Sequence, residues 1–455
     1  ADGTVSIGAN AGKNVTSAAE STFVGYGAGA NITTGNYNTA IGYNAGSQAQ
    51  DDTNNTFVGR AAGYHVESDE NVFIGGDAGY GAQDSTTGSQ NTSIGYRSMY
   101  SHTTANKNVV VGDQALQLLT TGNQNVTLGF RAGQYNIVGS NMVVIGNEAG
   151  RYATGSSNVF VGTNAGKGGQ TTAPYSSGTG NTALGYNALT GFTTGEANVA
   201  IGQYTGDAIT SGNYNVLAGR NAGGSLTTGG NNVAIGDTAL ASMTQYNSHI
   251  AIGPSAGSGF TAQYYSILIG YQANTASGGN YTTAIGYRAL KVNTGARNTA
   301  IGASALISNV GGDDNTAIGY SALSSNISSN NNVALGNYAG ANVIGNSNVH
   351  IGLDAGQYAT GSNNTFVGRA AGQGGTTSAP YSSGQYNTAV GAYALDAFTT
   401  GYQNVAIGYQ AATDLTTAYY GTYIGMYAGQ NVTTGNTNTF IGWQSGNAVT
   451  DTSNK

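Results

Sequence analysis

The chain has 455 residues, of which 7% are charged, 75 are Gly and three are Pro, with 31 Tyr against 10 Phe and a net charge of −7. A soluble domain carries about 25% charged residues, so this composition argues against several thick-cored globular domains, and so little charge also argues against charge-driven disorder. The 13 Lys and Arg are scattered singly, leaving no basic patch for nucleic acid or an anionic membrane, and the absence of Cys excludes a disulfide framework or a thiolate metal site.

The chain opens inside a repeat, at "ADGTVSIG", and reads as a processed chain or a shaft excerpt with no signal peptide. No apolar run approaches the roughly 18 residues of a membrane helix, so membrane insertion is not expected. In chain order, the Gly of an "IG" or "VG" dipeptide (below, the coil glycine) falls first at 8, 25, 42, 59, 75, 95, 112, 129, 146, 162, 185, 202 and 219. It continues at 236, 253, 270, 286, 302, 319, 336, 352, 368, 391, 408, 425 and 442. Of the 25 spacings sixteen are 17 residues and six are 16, the exceptions being 20 (Gly75 to Gly95) and 23 (Gly162 to Gly185, Gly368 to Gly391).

The same chemistry surrounds each coil glycine. The residue before it is Ile, Val or Leu except at Ala218, and Ala follows three residues later except at Ser98, Thr205 and Ser445. Asn precedes it by four residues in 19 of the 26 repeats, and a second Gly often closes a "TTG" seven residues ahead, as at Gly35 and Gly401.

This period is too short for helical or leucine-rich repeats and fits one β-coil of two short strands with Gly at the corners. In "N-V-A-I-G" the alternation predicts a strand with one buried face, on which the Ile before the glycine and the Thr or Val two residues earlier point inward. Stacked coils place like residues in ladders: Asn38, Ile41, Gly42 and Ala45 in one coil, Asn315, Ile318, Gly319 and Ala322 in another, with Asn bonding the coils above and below. A rung of this kind is stable only between two like rungs.

A longer repetition overlies the short one. "ATGSSNVFVGTNAGKGGQTTAPYSSGTGNTALGYNAL" from 153 returns at 359 as "ATGSNNTFVGRAAGQGGTTSAPYSSGQYNTAVGAYAL", an offset of 206 residues or twelve coils. The expectation is one continuous solenoid shaft over 1–455, built of two tandem twelve-coil copies at about 1–211 and 212–455. At ~4.8 Å per coil it forms a rod of roughly 120 Å. The thin interior buries little apolar area against the entropy of ordering the chain, so self-association is expected, as a homotrimer or bundled fibre with the recurring Ala facing its partners. The alternative for the Ala is a tight corner inside the coil.

The "N-[TV]-A-[IV]-G" phrase and its "TTG" turns resemble the shaft repeats of bacteriophage tail fibres and are similar to the head repeats of trimeric autotransporter adhesins. The resemblance covers the whole chain. It implies an all-β parallel β-solenoid (β-roll) of about 26 coils in a homotrimeric fibre, extracellular, on a virion tail or alternatively a bacterial cell surface. The 16–17-residue period exceeds the usual adhesin-head coil, and neither a coiled-coil stalk nor a C-terminal chaperone domain is present in the sequence.

No catalytic constellation stands out, and neither enzymatic activity nor a cofactor is expected. The four His are far apart, "DD" at Asp51 and Asp313 falls in turns, and the calcium-binding G-G-x-G-x-D pattern is missing. The candidate contacts for a partner chain, a host receptor or a surface glycan are the loops at 167–178 and 373–384, with Pro174, Tyr175, Pro380 and Tyr381. Against this stands an insertion packed back on the shaft. Tyr follows the coil glycine at Tyr26, Tyr43 and six further places, where it either stacks on sugar rings or stiffens the ladder. Ice binding needs an exposed Thr array and is disfavoured by the inward parity assigned to Thr. Glycan cleavage needs a carboxylate pair.

Overall fold

The computed structural model describes residues 3–82, 86–261, 264–276, 279–375, 377 and 381–455. Among the described residues the chain is all-β and forms a parallel β-solenoid, with one three-residue strand per coil just ahead of the coil glycine. It divides into two compact units, Ala1–Asn232 and Val233–Lys455. The first holds thirteen strands, β1 (Val5–Ile7) to β13 (Val216–Ala218), and the second another thirteen, β14 (Val233–Ile235) to β26 (Thr439–Ile441). Within each unit every strand pairs in parallel with the next one in the chain. Thr39, Ala40 and Ile41 of β3 (Thr39–Ile41) lie beside Thr56, Phe57 and Val58 of β4 (Thr56–Val58). The 23-residue coil keeps that register, since Thr365 of β22 (Thr365–Val367) pairs with Thr388 of β23 (Thr388–Val390).

The expected second strand is absent from the described coils. Left-handed residues break the extension on both sides of each strand, as at Asn44 (φ 54°) and Asn54 (φ 59°). The rest of the coil is turns, stitched rung to rung by single bonds such as Gly46 N–H to the Ala62 carbonyl at 2.9 Å and Gln48 N–H to Tyr64 at 3.0 Å. The two kinds of corner glycine differ. Gly25 needs its φ of +129°, and a Cβ there would also lie 2.6 Å from the Gly42 carbonyl oxygen. Gly401 has no left-handed φ. It is required by close approach, a Cβ meeting the Ala418 carbonyl oxygen at 2.6 Å.

The strand parity is the reverse of the expected one. Ala40 is fully buried, whereas Ile41 is 39% exposed and Thr39 half-buried; Ile318 is likewise half-buried between the buried Ala317 and the surface. The Asn ladder is the physical reason. Asn38 turns inward, its amide donating to the Asp52 carbonyl while its Oδ1 accepts the Asn55 N–H at 3.0 Å. A period of two then takes Ala40 inward as well and leaves Thr39 and Ile41 outside. In the second unit Asn315 repeats this, donating to the Asn298 Oδ1 at 3.2 Å and the Ser329 carbonyl at 2.8 Å. The recurring Ala is also corrected. Ala45 and Ala322 are fully buried inside their coils and face no partner. Thr therefore does reach the outer face, but it shares its column about equally with Val, so no regular Thr array results.

Candidate functional site

The outward strand face recurs in every coil of each unit. It carries two columns of side chains per unit, Thr, Val or Ile in one and Ile, Val or Leu in the other except at Ala218, and among the described residues no strand carries Asp, Glu, Lys or Arg.

The inserted loops lean on the coils beside them. The Tyr175 ring lies 5.1 Å from that of Tyr135 and 6.3 Å from that of Tyr152, and those two stack at 5.0 Å. Ser176 N–H donates to the Tyr152 carbonyl at 3.0 Å and Ser177 N–H to Thr193 at 2.8 Å, so the loop is tied to coils on both sides. Pro174 stays exposed at the rim of an open cleft shared with Ile137, Val138 and Thr154. In the second loop Pro380 lies outside the described residues. Tyr381 stacks on Tyr358 at 5.9 Å, and Ser382 N–H reaches the Tyr358 carbonyl at 3.0 Å. Both tyrosines are half-buried.

Of the tyrosines that follow a coil glycine, Tyr26 stacks on Tyr43 at 5.4 Å and Tyr271 on Tyr287 at 5.5 Å. A further ladder, Tyr64–Tyr80–Tyr100 at 5.3 and 5.0 Å, escaped the sequence reading because its members occur in only three coils. So did the aromatic corner at Tyr386 and Tyr402, five and six residues ahead of their coil glycines, where the residue type changes from rung to rung.

The buried histidines pack as apolar rings. His350 stacks on Phe366 at 5.2 Å, and burial lowers its pKa to about 3. His102 Nδ1–H donates to the Met99 carbonyl at 3.0 Å, and burial lowers its pKa to about 4 despite that bond. Among the carboxylates, burial and then Asp69 raise Asp52 to about 6, and burial and then Asp414 do the same for Asp396. Asp51 is held below its ordinary value by the Thr33 and Thr34 hydroxyls. Asp314 takes the Arg297 guanidinium fork at 2.6 and 2.8 Å, so this "DD" turn is ion-paired. Among the described residues no group of three or more His, Asp or Glu is placed to hold a metal ion.

Comparison with known proteins finds no match, either to a protein-family model or to a curated sequence.

Proposed function

We propose that this chain is a structural fibre protein, the spacer shaft of a phage tail fibre that supports host attachment, acting outside the cell as a homotrimer or bundled fibre and not as an enzyme. One observation carries the reading: strand register is kept residue for residue through coils of 16, 17, 20 and 23 residues in the first unit and of 16, 17 and 23 in the second. A spacer needs its rung geometry preserved whatever its loops do, whereas an active site needs converging polar groups. The tandem duplication fits a part whose length matters. The uncharged strand face supports self-association, because adding a copy covers apolar columns without bringing like charges together.

Immunogold labelling with an antibody to this chain tests the proposal. Label on the tail appendages of phage particles is the expected result. Label confined to bacterial envelopes would replace the virion shaft with a cell-surface adhesin built from the same coil.

A further inference from the structure

We infer that the groove between Tyr386 and Tyr402 binds a neutral pyranose oligosaccharide. The inference stands on the groove itself and does not require the shaft reading. Each coil turns a corner at the fifth and sixth residues before its coil glycine. In two successive coils of the second unit that corner carries Gln385-Tyr386 and then Tyr402-Gln403. The Gln403 N–H donates to the Gln385 carbonyl at 3.0 Å, which sets one corner on the other. Aromatic ring and amide therefore alternate both along the chain and from coil to coil.

These residues line an open cleft of about 370 Å³, together with Ser383 and Thr400. That size lies within the range of small-ligand sites, roughly 300 to 1,000 Å³. Tyr386 is 56% exposed and Tyr402 38%. The Tyr402 ring is nonetheless held in place, stacked on Tyr419 at 5.1 Å and meeting the edge of Tyr420 at 5.6 Å. Among the described residues no charged side chain lines the cleft, so an anion or cation finds no counter-charge in that lining. A pyranose offers the matching chemistry: a C–H face for a fixed ring, and a rim of hydroxyls for amides, which both donate and accept.

The duplicated copy supplies an independent observation. At the offset of 206 residues, Gln385, Tyr386, Tyr402 and Gln403 become Thr179, Gly180, Glu196 and Ala197, while "PYSSG", "NTA", "FTTG" and "NVAIG" around them are identical. The backbone is kept as well, with φ of 57° at Tyr386 and 66° at Gly180, and 56° at Gln403 and 51° at Ala197. A cleft at the same corner elsewhere in the first unit is lined by Ser89, Gln90, Asn106, Lys107, Asn123 and Gln124, with no aromatic ring. The corner is a property of the fold, and its paired tyrosines and amides are missing from the equivalent corner of the first copy.

The test is titration of the full chain with cellotetraose, chitotetraose and maltotetraose, followed by saturation-transfer NMR and calorimetry. At least one should bind, and Tyr402→Ala and Tyr386→Ala should each weaken it about tenfold or more with the melting temperature unchanged. Grafting Thr179→Gln, Gly180→Tyr, Glu196→Tyr and Ala197→Gln into the first copy should raise the number of sites from one to two per chain. No binding of any of the three at millimolar concentration would overturn the inference, as would binding that both alanine variants leave intact.

Discussion

Phe366 and Gly372 fill the interior of one coil between them: a Cβ added to Gly372 would sit 2.5 Å from the Phe366 ring. The same partition holds wherever the inward strand residue is an aromatic ring, His350 with Gly356 included. Phe23, Phe57, Phe73, Phe160, Tyr423 and Phe440 each have Gly six residues later. Where that later residue is Leu, as at Leu189, Leu290 and Leu395, the inward strand residue is Ala183, Ala284 or Ala389, and only at Leu116 is it the larger Val110. In these coils the large side chain is supplied from one side or the other, whereas in a coil such as that of Ala200 and Gly206 the space is filled by Ile209 and by Leu189 and Leu217 of the neighbouring coils. Close packing makes each arrangement exclusive of the other.

This volume balance predicts a rescue. Gly372→Leu alone overpacks the coil and should cost at least about 1 to 3 kcal/mol. Phe366→Ala alone leaves a cavity worth roughly 3 to 5 kcal/mol. The double variant reproduces the Ala389–Leu395 arrangement, whose Leu adopts φ 54° against 51° at Gly372. It should melt above either single variant, with a coupling of about 1 kcal/mol or more in a double-mutant cycle. Additive losses would show that the two positions do not share one volume.

Asn198 bonds the coils on both sides of it. Its amide donates to the Asn181 Oδ1 at 3.1 Å and the Gly212 carbonyl at 2.8 Å, and its Oδ1 accepts the Asn215 N–H at 3.0 Å. Asn198→Ala strands that buried N–H and should cost more than about 2 kcal/mol, since each unsatisfied buried polar group costs ~1 to 3 kcal/mol. Hydrogen exchange should show the Asn215 amide losing protection first. Unchanged exchange there would refute the ladder's role.

Acid should weaken the coil around His350. Its native pKa of about 3 lies below the ordinary value of 6.5, so between those pH values the unfolded chain binds a proton that the native chain does not. Stability therefore falls as pH drops through that window, by up to about 1.4 kcal/mol per pH unit. His102 acts with the same sign down to about pH 4. Asp52 and Asp396 act oppositely: raised from 3.8 to about 6, they hold protons in the native state and gain stability as pH falls through that range. Comparison with His350→Phe isolates the histidine, because Phe366 fills the equivalent place one coil on. The melting-temperature advantage of the variant should grow from pH 7 to pH 4; a constant difference would contradict the assignment.

Charge on the strand face should block association and spare the coil. Leu184 of β11 (Thr182–Leu184) is 46% exposed and Ile201 of β12 (Val199–Ile201) 43%. Leu184→Lys with Ile201→Lys places cations side by side there. Circular dichroism should be unchanged while the assembled species is lost by gel filtration. An unchanged elution position would move the interface elsewhere.

The period, the ladder and the parallel register were legible because Gly42 and its 25 counterparts mark every rung. Strand parity was not. In "VAIG" both faces are apolar, so alternation alone does not say which is inside; the deciding group is Asn38, whose buried amide must reach the next coil. The missing second strand was hidden as well. Its left-handed breakers include Arg131, Glu148 and Tyr204, residue types that give no sign of a positive φ. The Tyr386–Tyr402 groove escaped for the opposite reason, since a search for recurring residues passes over positions that vary from coil to coil.

Sedimentation equilibrium of the full chain tests the central claim most directly. A self-associating shaft predicts three chain masses for the trimer or a larger species for the bundled fibre, either one dissociating when the strand face carries Leu184→Lys and Ile201→Lys. A monodisperse monomer, stable and soluble with its uncharged strand face open to water, would contradict it.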